Sequence, residues 1–192
     1  YSIANEKFEL TVGVPRDDIE DDNYGVYTPM MEAMGESTAL HKDERVSEAV
    51  KNGFTEKCYD GQPFFSERHQ VGSITYSNKG DAKLDAESFQ AARQSIMSLK
   101  NEKGQPLNIV PNVLLVPPAL EKEARMILEA ELVNGTSNIN KGLAEVVVWS
   151  QLADKPTQWY LLCTKRSLKP FIFQEGKIYS HDKRNRRKRI HA

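Results

Sequence analysis

The sequence predicts an α+β fold, and three observations carry that prediction. Helical and strand-like patterns both occur, without the regular strand–helix repeat of a parallel α/β sheet. Their order runs from a strand through one long helix and a stretch of turns to a final helix–strand–helix–strand series. The long helical pattern, at 29–52, exceeds what a core of this size can cover. At 192 residues the chain suits one domain, or one domain with an elongated appendage.

Residues 8–14 (FELTVGV) alternate and include β-branched types, which predicts a strand that Pro15 ends. Residues 16–23 (RDDIEDDN) read as an acidic turn or loop. Thr28 and Pro29 form a helix start, because Thr can cap and proline's missing N–H would be unpaired there in any case. The helix predicted over 29–52 stops at Gly53. Its apolar face (Met30, Met31, Met34, Leu40, Val46, Ala49, Val50) is interrupted by five polar residues at 41–45. About 24 residues would span ~36 Å, so this helix is expected to be a strut that packs at both ends.

Residues 54–78 hold turn chemistry at Asp60–Gly61, Gln62–Pro63, Gly72–Ser73 and Ser77–Asn78, with short strands expected inside 71–76. Asp85 opens the next helix, and Leu84 and Phe89 are placed as a hydrophobic staple across its start. Phe89, Ala92, Ile96 and Leu99 carry its apolar face to about Lys100. A buried strand interrupted by Pro111 is predicted over 107–116. Pro117 and Pro118 launch a helix over 119–132, which Asn134–Gly135 closes. Strands at 145–149, 158–163 and 171–173 complete the series.

Composition narrows the function classes. A 39% hydrophobic content is low for a compact enzyme, and 28% charged residues imply a large solvated surface or polar interfaces. No run of 18 apolar residues occurs, so no membrane span is expected. The opening residues lack a signal-peptide layout and an initiator Met, so the sequence is expected to begin inside a longer chain. Cys58 and Cys163 stand in no CxxC spacing and read as reduced thiols.

No glycine-rich phosphate loop, zinc-protease helix or nucleophile elbow is present, so no catalytic, cofactor-binding or metal-ligating residue is assigned and no cofactor is expected. The acidic run Asp17, Asp18, Glu20, Asp21 and Asp22 lacks the glycine and distal glutamate of a calcium loop, and reads as a solvated loop. His41, His69, His181 and His191 lack zinc spacing. Cys58 and His69 would make a nucleophile and base only if the fold joined them, which spacing alone does not say. Trp149 and Trp159 are expected to pack within a sheet.

Charge is unevenly placed. From Lys177 onward seven basic residues meet one acid, so the tail carries +6 and residues 1–176 carry −7 of a net −1. Lys183, Arg184, Arg186, Arg187, Lys188 and Arg189 are candidate phosphate contacts, with counterion release as the driving force. Two other readings remain open: a terminus with no evolved role, and a helical extension docked on the acidic body.

Three stretches resemble the major head subunit of Mu-like phages, the gpT family. They are FELTVGVPRDDIEDDNYGVYTPMMEAMG (8–35), NGFTEKCYDGQPFF (52–65) with SNKG (77–80), and the run from LDAESFQAARQ (84–94) through NINKG (138–142) to WYLLCTKRSLKPFIFQ (159–174). The text after Gln174 no longer resembles it, so a truncated, frameshifted or excised copy is expected.

The resemblance implies the tailed-phage major capsid fold of the Hong Kong ninety-seven type, here partial: a long spine helix plus an axial domain. Residues 1–83 would be extended loop, spine helix and part of the peripheral domain, 84–176 the axial domain, and 177–192 a basic tail outside the family fold. It also implies a structural head subunit, not an enzyme, self-assembling into pentamers and hexamers of a DNA-containing shell. Partners would be copies of itself, with scaffold and packaged DNA, in the virion and in the bacterial cytoplasm during assembly.

Overall fold

The computed structural model describes residues 6, 8–20, 24–133, 135–167 and 169–174. At its centre is a three-stranded mixed sheet of β3 (Val113–Val116), β6 (Glu145–Val148) and β7 (Tyr160–Leu162), in the order β6-β3-β7. β3 pairs with β6 in parallel and with β7 in antiparallel register, Leu114 lying opposite Val146 and Leu161. The central strand reads VLLV because both of its faces are covered. Successive side chains alternate between those faces, and this splits the core in two.

Leu114 and Val116 join Leu84, Phe89, Ala124, Ile127 and Leu128 in one cluster. There the sheet is covered by α3 (Ala86–Met97) and α4 (Glu121–Leu128). Leu115 faces the other way, into a cluster with Val50, Leu152 and Tyr160, flanked by Phe54, Phe65, Trp149 and Phe171. Val50 belongs to the last turn of α2 (Tyr24–Asn52), so the long helix is anchored under the sheet by its C-terminal end. The second cluster thus joins residues on both sides of position 84.

α3 starts where expected. Asp85 caps it, accepting from the Ser88 amide at 2.7 Å, while the Ser88 hydroxyl accepts from the Asp85 amide at 3.0 Å. It ends at Met97 rather than near Lys100. Trp159 packs on the first cluster and donates its indole N–H to the Ala82 carbonyl at 2.9 Å; Trp149 packs on the second.

Several expectations are corrected. Residues 8–15 form no strand. Their β-prone pattern finds no partner strand among the described residues, and a strand without a ladder is not stable. The segment instead lies along α2, with the Phe8 ring 4.3 Å from the His41 ring and Arg45 over Phe8 at 5.0 Å. Residues 16–20 are a short helix, α1 (Arg16–Glu20), closed by an Arg16–Glu20 ion pair at 2.8 Å, not an acidic loop.

α2 begins at Tyr24, so Pro29 sits inside it and Thr28 is no cap. Among the described residues, its buried side chains are Ser47 and Val50, near its C-terminal end. The helix ends at Asn52, as foreseen, and Gly53 follows without a positive φ; glycine is favoured there by space, since a Cβ would meet the Phe65 ring at 2.9 Å.

The strand foreseen over 107–116 is confined to Val113–Val116, because Asn108 turns with a φ of 50° and proline cannot donate to a ladder. The helix foreseen over 119–132 is a 3-10 turn (Pro118–Leu120) followed by α4, which ends at Leu128. Beyond it β4 (Leu132–Val133) and β5 (Thr136–Ser137) form a hairpin, with Gly135 at φ 79°. Asn-Gly between two short apolar or β-branched pairs is a hairpin signal, so it marks a reversal rather than a helix stop. Residues 171–173 form no strand; Phe171 turns into the aromatic cluster, 4.9 Å from Phe64.

Candidate functional site

Two features outside the core could carry function: the unburied length of α2, and a polar cluster at the foot of that helix. The 29 residues of α2 would extend about 43 Å. Only its last turns are gathered into the core, by Val50, buried Ser47 and the Lys51–Asp154 ion pair at 2.9 Å. Met30, Met31 and Leu40 are each about half exposed, as are Phe8 and Leu10 on the arm beside the helix. A second exposed apolar group lies at the hairpin beyond α4, where Leu132, Val133 and Ile139 point outward.

The base of that hairpin is firmly held. Asn138 donates to the carbonyls of Ile127 and Ala130, both at 2.9 Å, closing the C-terminus of α4. Buried Asn140 accepts from Gln90 of α3 at 2.8 Å. The motif NINKG is therefore a clamp between the two helices, and the exposed apolar tip projects from it.

The polar cluster sits in the 53–78 region. β1 (His69–Val71) and β2 (Ile74–Tyr76) form a hairpin whose two-residue turn begins at Gly72, φ 63°, as a II′ turn requires. The loop before it closes through a Lys57–Pro63 bridge. Asp60 joins loop to hairpin: it accepts from the Cys58 thiol at 3.1 Å, from the Gln62 amide at 3.0 Å, and faces His69 Nδ1 at 2.6 Å. His69 Nε2 lies 3.1 Å from the Phe64 carbonyl, which also accepts from Asn78 at 2.6 Å. Asn78 in turn accepts from the Ser66 amide at 2.8 Å. The stretches NGFTEKCYDGQPFF and SNKG thus interlock.

The hydrogen bonds from His69, Cys58 and Gln62 pull the Asp60 carboxyl down to about 2. Burial, and then the neighbouring carboxylate, push the Cys58 thiol up. A thiol held protonated and bonded to a carboxylate is a poor nucleophile. His69, the imagined base, reaches Asp60 and not Cys58. Spacing alone missed Asp60, which reads as half of an Asp–Gly turn.

Other candidates lie apart. Cys58 and Cys163 are both free. His41 packs against Phe8 with the rings tilted at 59°, far along the chain from the cluster. Lys183, Arg184, Arg186, Arg187, Lys188 and Arg189, with His181, His191, Asp21 and Asp22, lie outside the described residues. A groove of about 240 Å³ beside α2 is lined mainly by apolar residues, Val46, Val50, Leu115, Trp149, Leu162 and Phe171 among them, without convergent catalytic groups. No helix among the described residues is long and apolar enough to cross a membrane.

The sequence pattern of the Mu-like prophage major head subunit gpT family matches residues 1–83, 73–152 and 150–192. The chain belongs to that family. The gpT match runs to residue 192, past Gln174, where the resemblance read from the residues ends. The major capsid protein of Escherichia phage Mu is 39% identical over 125 residues, 65% of this chain and 38% of that protein. The FluMu prophage major head subunit of Haemophilus influenzae is 48% identical over 73 residues, 38% of this chain and 24% of that protein. The chain therefore spans well under half the length of these gpT-family relatives.

In three dimensions it resembles the capsid of bacteriophage JBD30, with a TM-score of 0.66 and 25% identity, over 76% of this chain and 74% of that one. The JBD30 procapsid matches at a TM-score of 0.64 and 27% identity, over 76% and 75%. The α+β arrangement is the tailed-phage capsid fold.

Proposed function

We propose that this chain is part of a head-shell subunit that works by repeated association with copies of itself, not by catalysis. The observation that carries the reading is α2: a helix of 29 residues whose Met30, Met31 and Leu40 side chains remain about half exposed. A lone protomer gains nothing from Met30, Met31 and Leu40 in water, whereas a neighbour could bury them. Gene-family membership and the capsid names of the relatives support the same role.

In this reading residues 1–83 supply reach and 84–176 the axial body. Contacts form through 17–27, α2 and the 134–141 loops. Closed shells repeat such heterologous contacts around rotational axes. The shell places the protein in the virion after assembly in the bacterial cytoplasm, where scaffold would meet it. The tail cations from Lys183 to Arg189 would face packaged DNA, supported by their charge alone. The non-catalytic part of the proposal is supported by the Cys58 thiol, bonded to the Asp60 carboxylate instead of to the His69 imidazole.

Light scattering and negative-stain microscopy test this. Wild-type chain is expected to form oligomers or particles as concentration rises. Met30→Glu with Met31→Glu and Leu40→Glu should return it to protomers with an unchanged melting temperature. A wild-type chain that stays monomeric at every concentration and ionic strength would overturn the proposal.

A further inference from the structure

Cys58, Asp60 and His69 each bring a donor atom into a space where all three lie within 4.8 Å of one another. They come from a closed loop and from strand β1, so the fold makes the grouping, not the local sequence. Two short contacts hold it: the Cys58 thiol to Asp60 Oδ1 at 3.1 Å, and His69 Nδ1 to Asp60 Oδ2 at 2.6 Å. The three candidate ligand atoms thus share one small polar space. We propose that Cys58, Asp60 and His69 bind one zinc ion, or a similar borderline-soft divalent cation, with a fourth position left to water.

The donor set selects the metal. Thiolate and imidazole suit zinc and cobalt, whereas magnesium and calcium require shells of oxygen. With zinc about 2.3 Å from sulfur and about 2.0–2.2 Å from nitrogen and oxygen, tetrahedral geometry sets the donor atoms roughly 3.3–3.6 Å apart. The two carboxylate contacts, at 3.1 and 2.6 Å, are shorter because a hydrogen needs less room than an ion, and side-chain shifts on the order of 1 Å bring the three atoms to the metal spacing.

The outer shell is already in place. His69 Nε2 faces the Phe64 carbonyl at 3.1 Å; an N–H donated there leaves the Nδ1 lone pair for the metal, the arrangement that orients ligating histidines. The Gln62 amide fixes the Asp60 carboxylate by donating to Oδ1 at 3.0 Å, while His69 meets Oδ2. The Asp60 and His69 side chains are each only 16% exposed. Binding displaces one proton from the thiol and any proton on Nδ1 to solvent. The ion would pin the 57–63 loop to the hairpin at the foot of α2.

The test is cobalt titration of the full chain after chelator treatment. One equivalent should produce a thiolate-to-cobalt charge-transfer band with tetrahedral visible bands, and zinc should erase both. The signal should persist in Cys163→Ser, where Cys58 is the sole thiol, and vanish in Cys58→Ser. His69→Asn should weaken zinc binding by more than about tenfold. Absence of the thiolate band from both wild type and Cys163→Ser, or its survival in Cys58→Ser, would overturn the proposal whether or not the chain assembles.

Discussion

Asp60 accepts from a thiol and a backbone amide and faces an imidazole, and its carboxyl accordingly titrates well below the ordinary range, at about 2. A carboxylate stabilised in the folded state contributes stability above its unfolded value, about 3.9, and loses that contribution as pH falls through the folded one. The stability gap between wild type and Asp60→Asn should therefore be full above about pH 5 and shrink toward pH 2. Urea titrations of metal-free protein at several pH values measure it; a gap constant across that window contradicts the assignment. Gly53 shows a different residue-scale constraint. Its neighbour Phe65 lies so close that any Cβ must displace an aromatic ring already packed on Phe54 and Tyr160, at 4.8 and 5.3 Å.

Among the elements, α4 depends most on a side chain outside itself. Removing the Asn138 amide leaves the Ile127 and Ala130 carbonyls without that partner, which should cost about 1–3 kcal/mol. Asn138→Ala is expected to lower the urea midpoint with an unchanged m value. An unaltered midpoint would show that water replaces the clamp at no cost. The elements also show what the sequence could and could not convey. α3 was legible because its cap, staple and apolar period all lie within its own residues, from Leu84 to Ile96. The strands of the central sheet were legible from short β-branched and apolar runs. Segments 8–14 and 171–173 carry the same local signal, but strand formation needs a partner that local pattern cannot supply. The cluster at Asp60 was hidden for a related reason: His69 reaches it only after the chain has closed one loop and entered a hairpin.

At the scale of the whole molecule, the two core clusters share the sheet, while α2 extends beyond both. Cooperative protection should follow that division. In the dissociated protomer, amides of 113–116 should exchange only through near-global unfolding. Those of 24–40 should exchange at least about 100-fold faster, since a helix with little tertiary cover is marginal in water. Hydrogen exchange read by mass spectrometry decides the matter. Equal protection in both segments would mean that α2 is held by more than its final turns.

Anchorage at one end has a mechanical consequence. With its pivot near Val50 and Gly53, α2 is a lever: a tilt of about 5° at the foot moves a point some 35 Å away by roughly 3 Å. Small repacking among Val50, Phe54, Phe65 and Leu152 would thus be magnified at the far end, while the sheet above stays unchanged. One protomer could then meet neighbours at slightly different angles without refolding, as a surface that curves unevenly demands of identical parts.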